Sequence, residues 1–472
     1  MHYRIITYGC QMNERDTEAI AAMLQDLGYQ PAGPGQQEDL VIFNTCCVRD
    51  NAERKAIGKV LEYKAAKTDR PDLLVGVGGC LPQQPGAAAR LAQRAPWLDF
   101  IYGTQNLDRL PVLVAMARTR GMLRHESGGE PTGPVVEILD EPLDVTRAQP
   151  RAAVEPRPVG HPRRIEAYVS ISHGCDNRCS YCIVPAVRGP ERSRPVDLIL
   201  DEIACLARSG IREVTLLGQN VNSYGGDLGG GPDFPSLLAQ VDRLAPEVGL
   251  LRIRFTTSHP KDLSSRLIAA LAELPTVCEH IHLPVQSGSD RVLKLMNRGY
   301  DRRRYLGLIQ DLRRAVPAVG LTTDVIVGFP GETEADFTQT LELVAEAAFD
   351  SAFTFAFSPR GGTAAASLPG EVPLEVRRER LARLNRLQEE ISRSRRATLH
   401  GTRQEVLFSG PSAKDPAILG GRTRGFHYVL VPGPSALTGT LGQVEITATR
   451  TWTLSGVLRE AAHAASAEVG GR

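Results

Sequence analysis

The sequence predicts an α/β protein in three parts: an N-terminal open parallel α/β domain, a central partial (β/α)6 barrel and a C-terminal small all-β barrel of OB-like form. Three observations carry this reading. Short β-rich runs alternate with amphipathic helical stretches in two separate series, and such alternation implies parallel strands joined by right-handed crossovers. Between the series lies a stretch rich in Pro, Gly and Arg. After an Arg-rich helix the chain changes to short β segments broken by Gly and Pro.

In the first series, "YRIITY" precedes the helical "DTEAIAAMLQDLG", "DLVIFN" precedes "AERKAIGKVLEYKAAK", and "DLLVGV" precedes "PGAAARLAQRA". A fourth strand, "DFIYG", leads into "LDRLPVLVAMARTR", which closes a domain over positions 1–119. Positions 120–160 read as a linker. The second series spans 161–397, with strands "EAYVSIS", "REVTLLG", "LRIRFTT", "EHIHLPV", "LTTDVIVGF" and "SAFTFAFS". Six βα units are too few for the eight-unit closed barrel and enough for an open one. Positions 398–461, with "RQEVLFSG", "GRTRGFHYVLV", "GTLGQVEITATR" and "WTLSGVL", suit a five-stranded barrel. Positions 462–472 read as a frayed tail.

With 472 residues, 55 basic and 54 acidic, the chain has a formal charge of +1. No whole-chain field points to nucleic acid or an anionic membrane, so any basic site must be local. The N-terminus enters a strand without a basic-then-apolar leader, and no apolar run approaches the roughly 20 residues of a membrane span. The expectation is a cytoplasmic, monomeric protein without membrane contact.

Nine cysteines are too sparse for a secreted disulfide scaffold, and six of them form two sets of three. Cys175, Cys179 and Cys182, in "SHGCDNRCSYCIVPAVRG", follow the first strand of the second series with C-x3-C-x2-C spacing. Three thiolates in one loop suit three irons of a cubane cluster and leave the fourth iron open. Structural zinc would need a fourth ligand, for which His173 is the candidate. Cys10, Cys46 and Cys80 each end one of the first three strands, and groups leaving the carboxyl ends of neighbouring parallel strands converge on one crevice. They make a second open three-thiolate site. Buried cysteine is also a common small core residue, and that reading suits Cys205 and Cys278. Of the doubled pair in "FNTCCVRD", adjacent residues at a strand end point to opposite sides. Only one of Cys46 and Cys47 is then expected at the site.

The C-x3-C-x2-C loop on a six-unit barrel resembles the radical S-adenosylmethionine enzymes, and with the three upstream cysteines it resembles the methylthiotransferases among them. The resemblance covers nearly the whole chain and includes a C-terminal TRAM-type RNA-binding barrel. "CIVPAVRGPERSRP", "LLGQNVNSYG", "RIRFTTSHP", "HLPVQSGSDRVLKLMNRGY" and "DVIVGFPGETEADF" resemble the branch that makes 2-methylthio-N6-dimethylallyladenosine at position 37 of tRNA. Sister branches, acting on a ribosomal-protein aspartate or on threonylcarbamoyladenosine, share all six cysteines, so the cysteine pattern speaks to chemistry and not to substrate. A metal-stabilised RNA-binding module without catalysis is the non-enzyme reading.

The resemblance implies two [4Fe-4S] clusters, one on Cys175, Cys179 and Cys182 and an auxiliary one on Cys10, Cys46 and Cys80, with S-adenosylmethionine as methyl donor and radical source. It selects Cys46 through the family's Asn-Thr-Cys pattern and makes Cys47 a bystander. In relatives a Gly-Gly-Glu element helps hold the methionyl amino group; here Gly218-Gln219-Asn220 stands there, and Gln219 or Asn220 could accept that hydrogen bond instead. Gln286 and Ser287 are the ribose-side candidates and Val327 the adenine-side one, while Ser289 or Asp290 caps the next helix. The implied partners are a tRNA anticodon stem-loop and an external one-electron reductant. Candidate RNA contacts are Arg393, Arg395, Arg396, Arg403, Arg422 and Arg424, with Phe426 and Tyr428 as stacking surfaces.

Overall fold

Strands β1 (His2–Thr7), β2 (Gln30–Pro31), β3 (Leu40–Thr45), β4 (Leu74–Gly79), β5 (Phe100–Tyr102) and β6 (Val135–Glu137) form an all-parallel sheet in the order β2-β1-β3-β4-β5-β6. The structure, a computed structural model, describes all residues except 49, 128–132, 142–143, 146–163 and 462–472. Central strands β3 and β4 are buried along their whole length, as expected of mainly apolar strands in a sheet covered on both faces. Glycine in β4 makes room for aromatics in β5. A Cβ at Gly76 would lie 2.1 Å from the Phe100 ring, and one at Gly78 would lie 2.1 Å from the Tyr102 ring.

Helices α1 (Gln11–Asp26), α2 (Asp50–Asp69), α3 (Cys80–Gln83), α4 (Ala87–Arg94) and α5 (Leu110–Ser127) flank this sheet. Ile20, Leu24, Phe100 and Leu113 pack on one face, and Phe43, Val75 and Leu91 on the other. The expected boundary at 119 is displaced. Helix α5 continues to Ser127, and β6 adds a sixth strand through Val135 N–H to Asp99 O at 2.9 Å. Gln83 also donates to Leu139 O at 2.9 Å. Part of the expected linker therefore belongs to the first domain; Pro and Gly around "GPVVEIL" obscure a three-residue strand. The rest of the linker and the expected tail lie largely outside the described residues.

The central domain contains β7 (Glu166–Ser170), the short pair β8 (Ser172–His173) and β9 (Arg192–Ser193), then β10 (Glu213–Leu217), β11 (Arg252–Thr256), β12 (His280–His282), β13 (Gly320–Val327) and β14 (Ser351–Ala356). Its six long-series strands form two parallel three-stranded sheets, β7-β10-β11 and β12-β13-β14. Cys278 N–H to Ile253 O, 2.9 Å, joins them beside the Ile253–Val277 bridge. The result is the expected open six-unit barrel. Helices α6 (Val184–Arg188), α7 (Val196–Arg208), α8 (Phe234–Val248), α9 (Ser265–Glu273), α10 (Asp290–Leu295), α11 (Arg302–Ala315), α12 (Glu334–Ala347) and α13 (Leu374–Ala397) complete it. Ser289 caps α10, accepting from Val292 N–H, and Asp301 caps α11, accepting from Arg304 N–H at 2.7 Å.

Strands β15 (Arg403–Pro411), β16 (Ile418–Thr423), β17 (Tyr428–Pro432), β18 (Leu441–Thr449) and β19 (Leu454–Ala461) close a barrel in the order β15-β16-β17-β19-β18. The run "GRTRGFHYVLV" is a hairpin, not one strand; it turns at Phe426, whose φ of 73° lies in the left-handed region. This hairpin docks against the amino ends of the central strands. Arg254 donates to Arg424 O and Thr423 O, both at 2.8 Å, and Arg424 forks onto Glu279 at 2.6 and 2.9 Å. Phe426 stacks on His280 with ring centroids 4.6 Å apart.

That joint reassigns several residues expected to touch RNA. Arg424 and Phe426 bind the central domain, and Arg422 lies over the Phe426 ring at 4.3 Å. Arg396 is buried and donates to Thr451 O, while Arg395 pairs with Asp350 at 3.1 Å. Arg393 and Arg403 are exposed. Among the described residues no helix is long and apolar enough to cross a membrane.

Candidate active site

Cys10, Cys46 and Cys80 follow β1, β3 and β4, which are adjacent in the sheet, so the fold brings the three strand ends together. A buried asparagine pair fixes their spacing. Asn13 Nδ2 donates to Asn44 Oδ1 (3.3 Å) and Thr45 O (3.2 Å), while Asn44 Nδ2 returns to Asn13 O at 2.7 Å. Thr45 Oγ1 donates to Gly78 O on the neighbouring strand at 2.6 Å. The Asn-Thr that precedes Cys46 thus clamps β3 to α1 and to β4. Neither tie is visible in a linear sequence, since the partners stand about thirty positions away.

Cys47, expected as a bystander, lies against the site. Its side chain is fully buried with Cys80, Ile183 and Val187, and its thiol is hydrogen-bonded to Cys80. That bond and burial push Cys47 up, while the same bond, aided by Arg188 and opposed by burial, pulls Cys80 down to about 6. Cys46 Sγ accepts from Val48 N–H at 3.3 Å, the role of a ligand sulfur. Burial pushes the Cys10 thiol up, with Arg188 opposing.

Arg188 comes from the central domain. Its guanidinium is buried, pairs with Asp16 of α1 at 2.6 Å and hydrogen-bonds Cys80. Ile183 and Val187 of the same segment pack on Cys47 and Cys80. Because the segment begins directly after Cys182, the two cysteine sets are joined through one short stretch of chain. Glu202 adds to the joint, bridging Arg15 (2.9 Å) and Arg194 (2.8 Å).

The loop of Cys175, Cys179 and Cys182 is clamped to the end of α10. Ser180 N–H bonds Met296 O at 3.0 Å, Ser180 Oγ donates to Leu295 O at 2.8 Å, and Asn297 Nδ2 donates to Arg178 O at 2.7 Å. Arg298 donates to Cys179 Sγ at 3.3 Å. Burial pushes Cys182 up to about 12 and raises Cys175. His173 Nε2 lies 3.2 Å from Ser170 Oγ, and burial lowers its pKa well below the usual histidine value. Among the described residues no three His, Cys, Asp or Glu side chains converge on one ion position. Cubane ligands each take a different iron and need no such convergence.

At the carboxyl ends of β7, β10 and β11, several buried polar atoms have no protein partner: Ser172 Oγ, both Gln219 side-chain atoms, Asn222 Oδ1, Ser258 Oγ and His259 Nε2. His259 Nδ1 accepts from Lys261 N–H at 3.2 Å, which leaves Nε2 as the N–H donor. A Cβ at Gly218 would lie 2.8 Å from Ser172 Oγ, so glycine keeps this cradle open. Unsatisfied buried polar atoms in such number call for a polar ligand, and the set fits the amino, carboxylate and hydroxyl groups of S-adenosylmethionine. Of the sequence candidates, Gln219 is free for that role. Asn220 is not, since it donates to Asp262 at 2.7 Å and accepts from His259 N–H at 3.1 Å. Gln286 has φ 72° and its backbone bridges to β13. Ser287 is fully buried and accepts from Ser289 N–H at 3.2 Å, and the Val327 side chain lies in the core; both act as framework through their side chains.

Beside Cys175 a cavity of about 250 Å³ is lined by Asp176, Glu191, Asn220, Asp227, Lys261 and Asp262 among others. Burial pushes the Glu191 carboxyl up to about 7, with Asp176, Asp227 and Asp262 adding to the rise and Ser223 Oγ, a donor at 2.7 Å, opposing it. Sequence reasoning missed Glu191, Arg188 and Arg298; the "RGPE" and "MNRGY" runs that contain them were the available signal.

An open parallel barrel with a three-cysteine loop and a polar cradle at its mouth is the architecture of a radical S-adenosylmethionine protein, and residues 169–344 match the Radical SAM superfamily. Residues 2–103 match the uncharacterized protein family UPF0004. A solved radical S-adenosylmethionine methyltransferase, TsrM from Kitasatospora setae with cobalamin and a [4Fe-4S] cluster, shares the fold at TM-score 0.54 and 16% identity over 77% of each chain. The tRNA-2-methylthio-N(6)-dimethylallyladenosine synthase of Moorella thermoacetica is 49% identical over 458 residues, 96% of this chain and 97% of the relative. That of Carboxydothermus hydrogenoformans is 47% identical, over 97% and 99%. The chain belongs to the tRNA-2-methylthio-N(6)-dimethylallyladenosine synthase family.

Proposed function

We propose that this protein methylthiolates C2 of N6-dimethylallyladenosine at position 37 of tRNA, with Cys175, Cys179 and Cys182 holding one [4Fe-4S] cluster and Cys10, Cys46 and Cys80 the other. The observation that carries this reading is the union of two three-cysteine sites through residues 183–188, on a chain nearly half identical to synthases of that name over its length. Bound there, the clusters and S-adenosylmethionine supply the one-electron chemistry, the methyl group and the sulfur, with electrons from an external reductant.

The chain's own residues bind, orient and exclude. Gln219, Ser172 and His259 offer donors and acceptors to S-adenosylmethionine, and the Glu191 cleft gives negative potential toward its cationic groups where the Gly218-Gln219-Asn220 element has no acid. Cys47 packs beside Cys80 and is hydrogen-bonded to it. Ile183 and Val187 form an apolar floor that keeps water from the sulfur side of the site. For tRNA, the exposed Arg393 and Arg403 offer phosphate contacts, and Trp452, 70% exposed, offers a stacking face.

Reconstitution under anaerobic conditions, followed by mass spectrometry of nucleosides from a tRNA carrying dimethylallyladenosine, tests the reading. The expected product carries the added mass of a methylthio group on that nucleoside. Methylthiolation of threonylcarbamoyladenosine or of a ribosomal-protein aspartate instead would reassign the substrate.

A further inference from the structure

Arg298, just beyond α10, is 4% exposed, and every polar contact of its guanidinium is accounted for. Nε donates to Tyr300 Oη at 2.9 Å, Nη2 to Pro284 O at 2.8 Å, and Nη1 to Tyr181 Oη at 3.4 Å and Cys179 Sγ at 3.3 Å. None of these partners is a carboxylate. Four other buried arginines behave differently: Arg188 pairs with Asp16, Arg194 with Glu202, Arg254 with Glu213 and Arg380 with Glu332; Arg396, which donates to Thr451 O, has the Asp350 carboxylate near it. A buried cation is strongly unfavourable without an anion close by. The one partner of Arg298 able to bear negative charge as a ligand is the sulfur of Cys179.

We infer that Arg298 is the fixed counter-cation of the cluster held by Cys175, Cys179 and Cys182, a positioning residue that stabilises its more negative, reduced state. The inference rests on the reading that these three cysteines hold a cluster. Reduction adds one electron from the external reductant and makes the site one charge more negative, with no bond made or broken. Charge and hydrogen bonds beside cluster sulfurs raise the reduction potential, so Arg298 eases that electron's entry. The same guanidinium touches Tyr181, inside the cysteine loop, while its neighbours Met296 and Asn297 grip Ser180 and Arg178. At the auxiliary site the charge of Arg188 is already answered by Asp16, so the effect belongs to one cluster only.

The test is a potentiometric titration of the reconstituted full-length protein, followed by electron paramagnetic resonance, with iron and sulfide measured on each sample. At the potential that half-reduces the wild-type cluster, R298Q should lower the reduced-to-oxidised ratio about tenfold, or ~59 mV for one electron. R298K, which keeps the charge, should stay within about threefold, and the auxiliary cluster should not move in either. R298Q with full iron and the wild-type potential overturns the inference, as does R298K shifted as far as R298Q. If R298Q cannot hold the iron, R298K with wild-type iron and potential supports it, and R298K that also loses the iron overturns it. A wild-type protein without iron at these cysteines sinks the parent reading together with this one, whereas an unmoved R298Q sinks this one alone.

Discussion

Two neighbouring thiols after β3 have different partners: Cys46 Sγ accepts from Val48 N–H, whereas Cys47 is hydrogen-bonded to Cys80. Replacing Cys46 by serine should reduce cluster content from two to one per chain. Replacing Cys47 by serine, which preserves a donor, should leave two, as iron and sulfide analysis will show. Glu191 offers a pH handle. Its carboxyl is pushed up to about 7, so it is mostly protonated at pH 6 and mostly ionised at pH 8, facing Asp176, Asp227, Asp262 and Lys261. Affinity for the cationic S-adenosylmethionine should therefore fall as pH drops through 7. E191Q should flatten that dependence and weaken binding about tenfold, read by equilibrium dialysis; an unchanged pH profile would remove Glu191 from the site. At this scale the placement of Cys10, Cys46 and Cys80 after neighbouring strands was legible, because the βα alternation sets it. Asn13, Arg188 and Arg298 were not, because each acts through a partner far away in the chain.

Elements followed the apolar periodicity closely wherever a strand or helix buries a continuous face. All six central strands appear where the sequence places them, with β12 shortened to three residues. The departures are local. Strand β6 is three residues among Pro and Gly, and the β16–β17 hairpin turns on a phenylalanine, a residue that gives no turn signal. Between elements, α1 and α7 are joined by Glu202 under two guanidiniums that are each 2% exposed. Glu202→Ala would remove the carboxylate that these two buried cations share and should cost about 3–5 kcal/mol. Chemical denaturation should show this as an earlier transition of the first two domains, while barrel signals stay near their wild-type midpoint.

For the whole molecule, the small barrel is fixed at the amino ends of the central strands, away from the carboxyl ends that carry the cysteine loop. The three-part architecture was legible from composition and periodicity. Its assembly was not, since Arg395, Arg396 and Arg424, which looked available for RNA, are held by contacts within the protein. Substrate affinity should therefore respond to a different set. W452A should weaken tRNA binding by about 1–3 kcal/mol, and R393A should lower the slope of log affinity against log salt by about one. Arg424→Ala should instead loosen the barrel, detected as faster proteolysis between the domains. A loss of tRNA affinity for R424A equal to that of W452A, with the joint intact, would return Arg424 to the RNA surface.

Residues 183–188 run from the last cysteine of one site to the guanidinium that touches a cysteine of the other. This short stretch acts as a ruler: its length sets the separation over which the two halves of the chemistry must meet. Lengthening it by one residue should leave each site able to load its iron yet uncouple them, so that S-adenosylmethionine is cleaved without product. The spacing between sites is thus written in a countable number of residues, open to change by a single inserted codon.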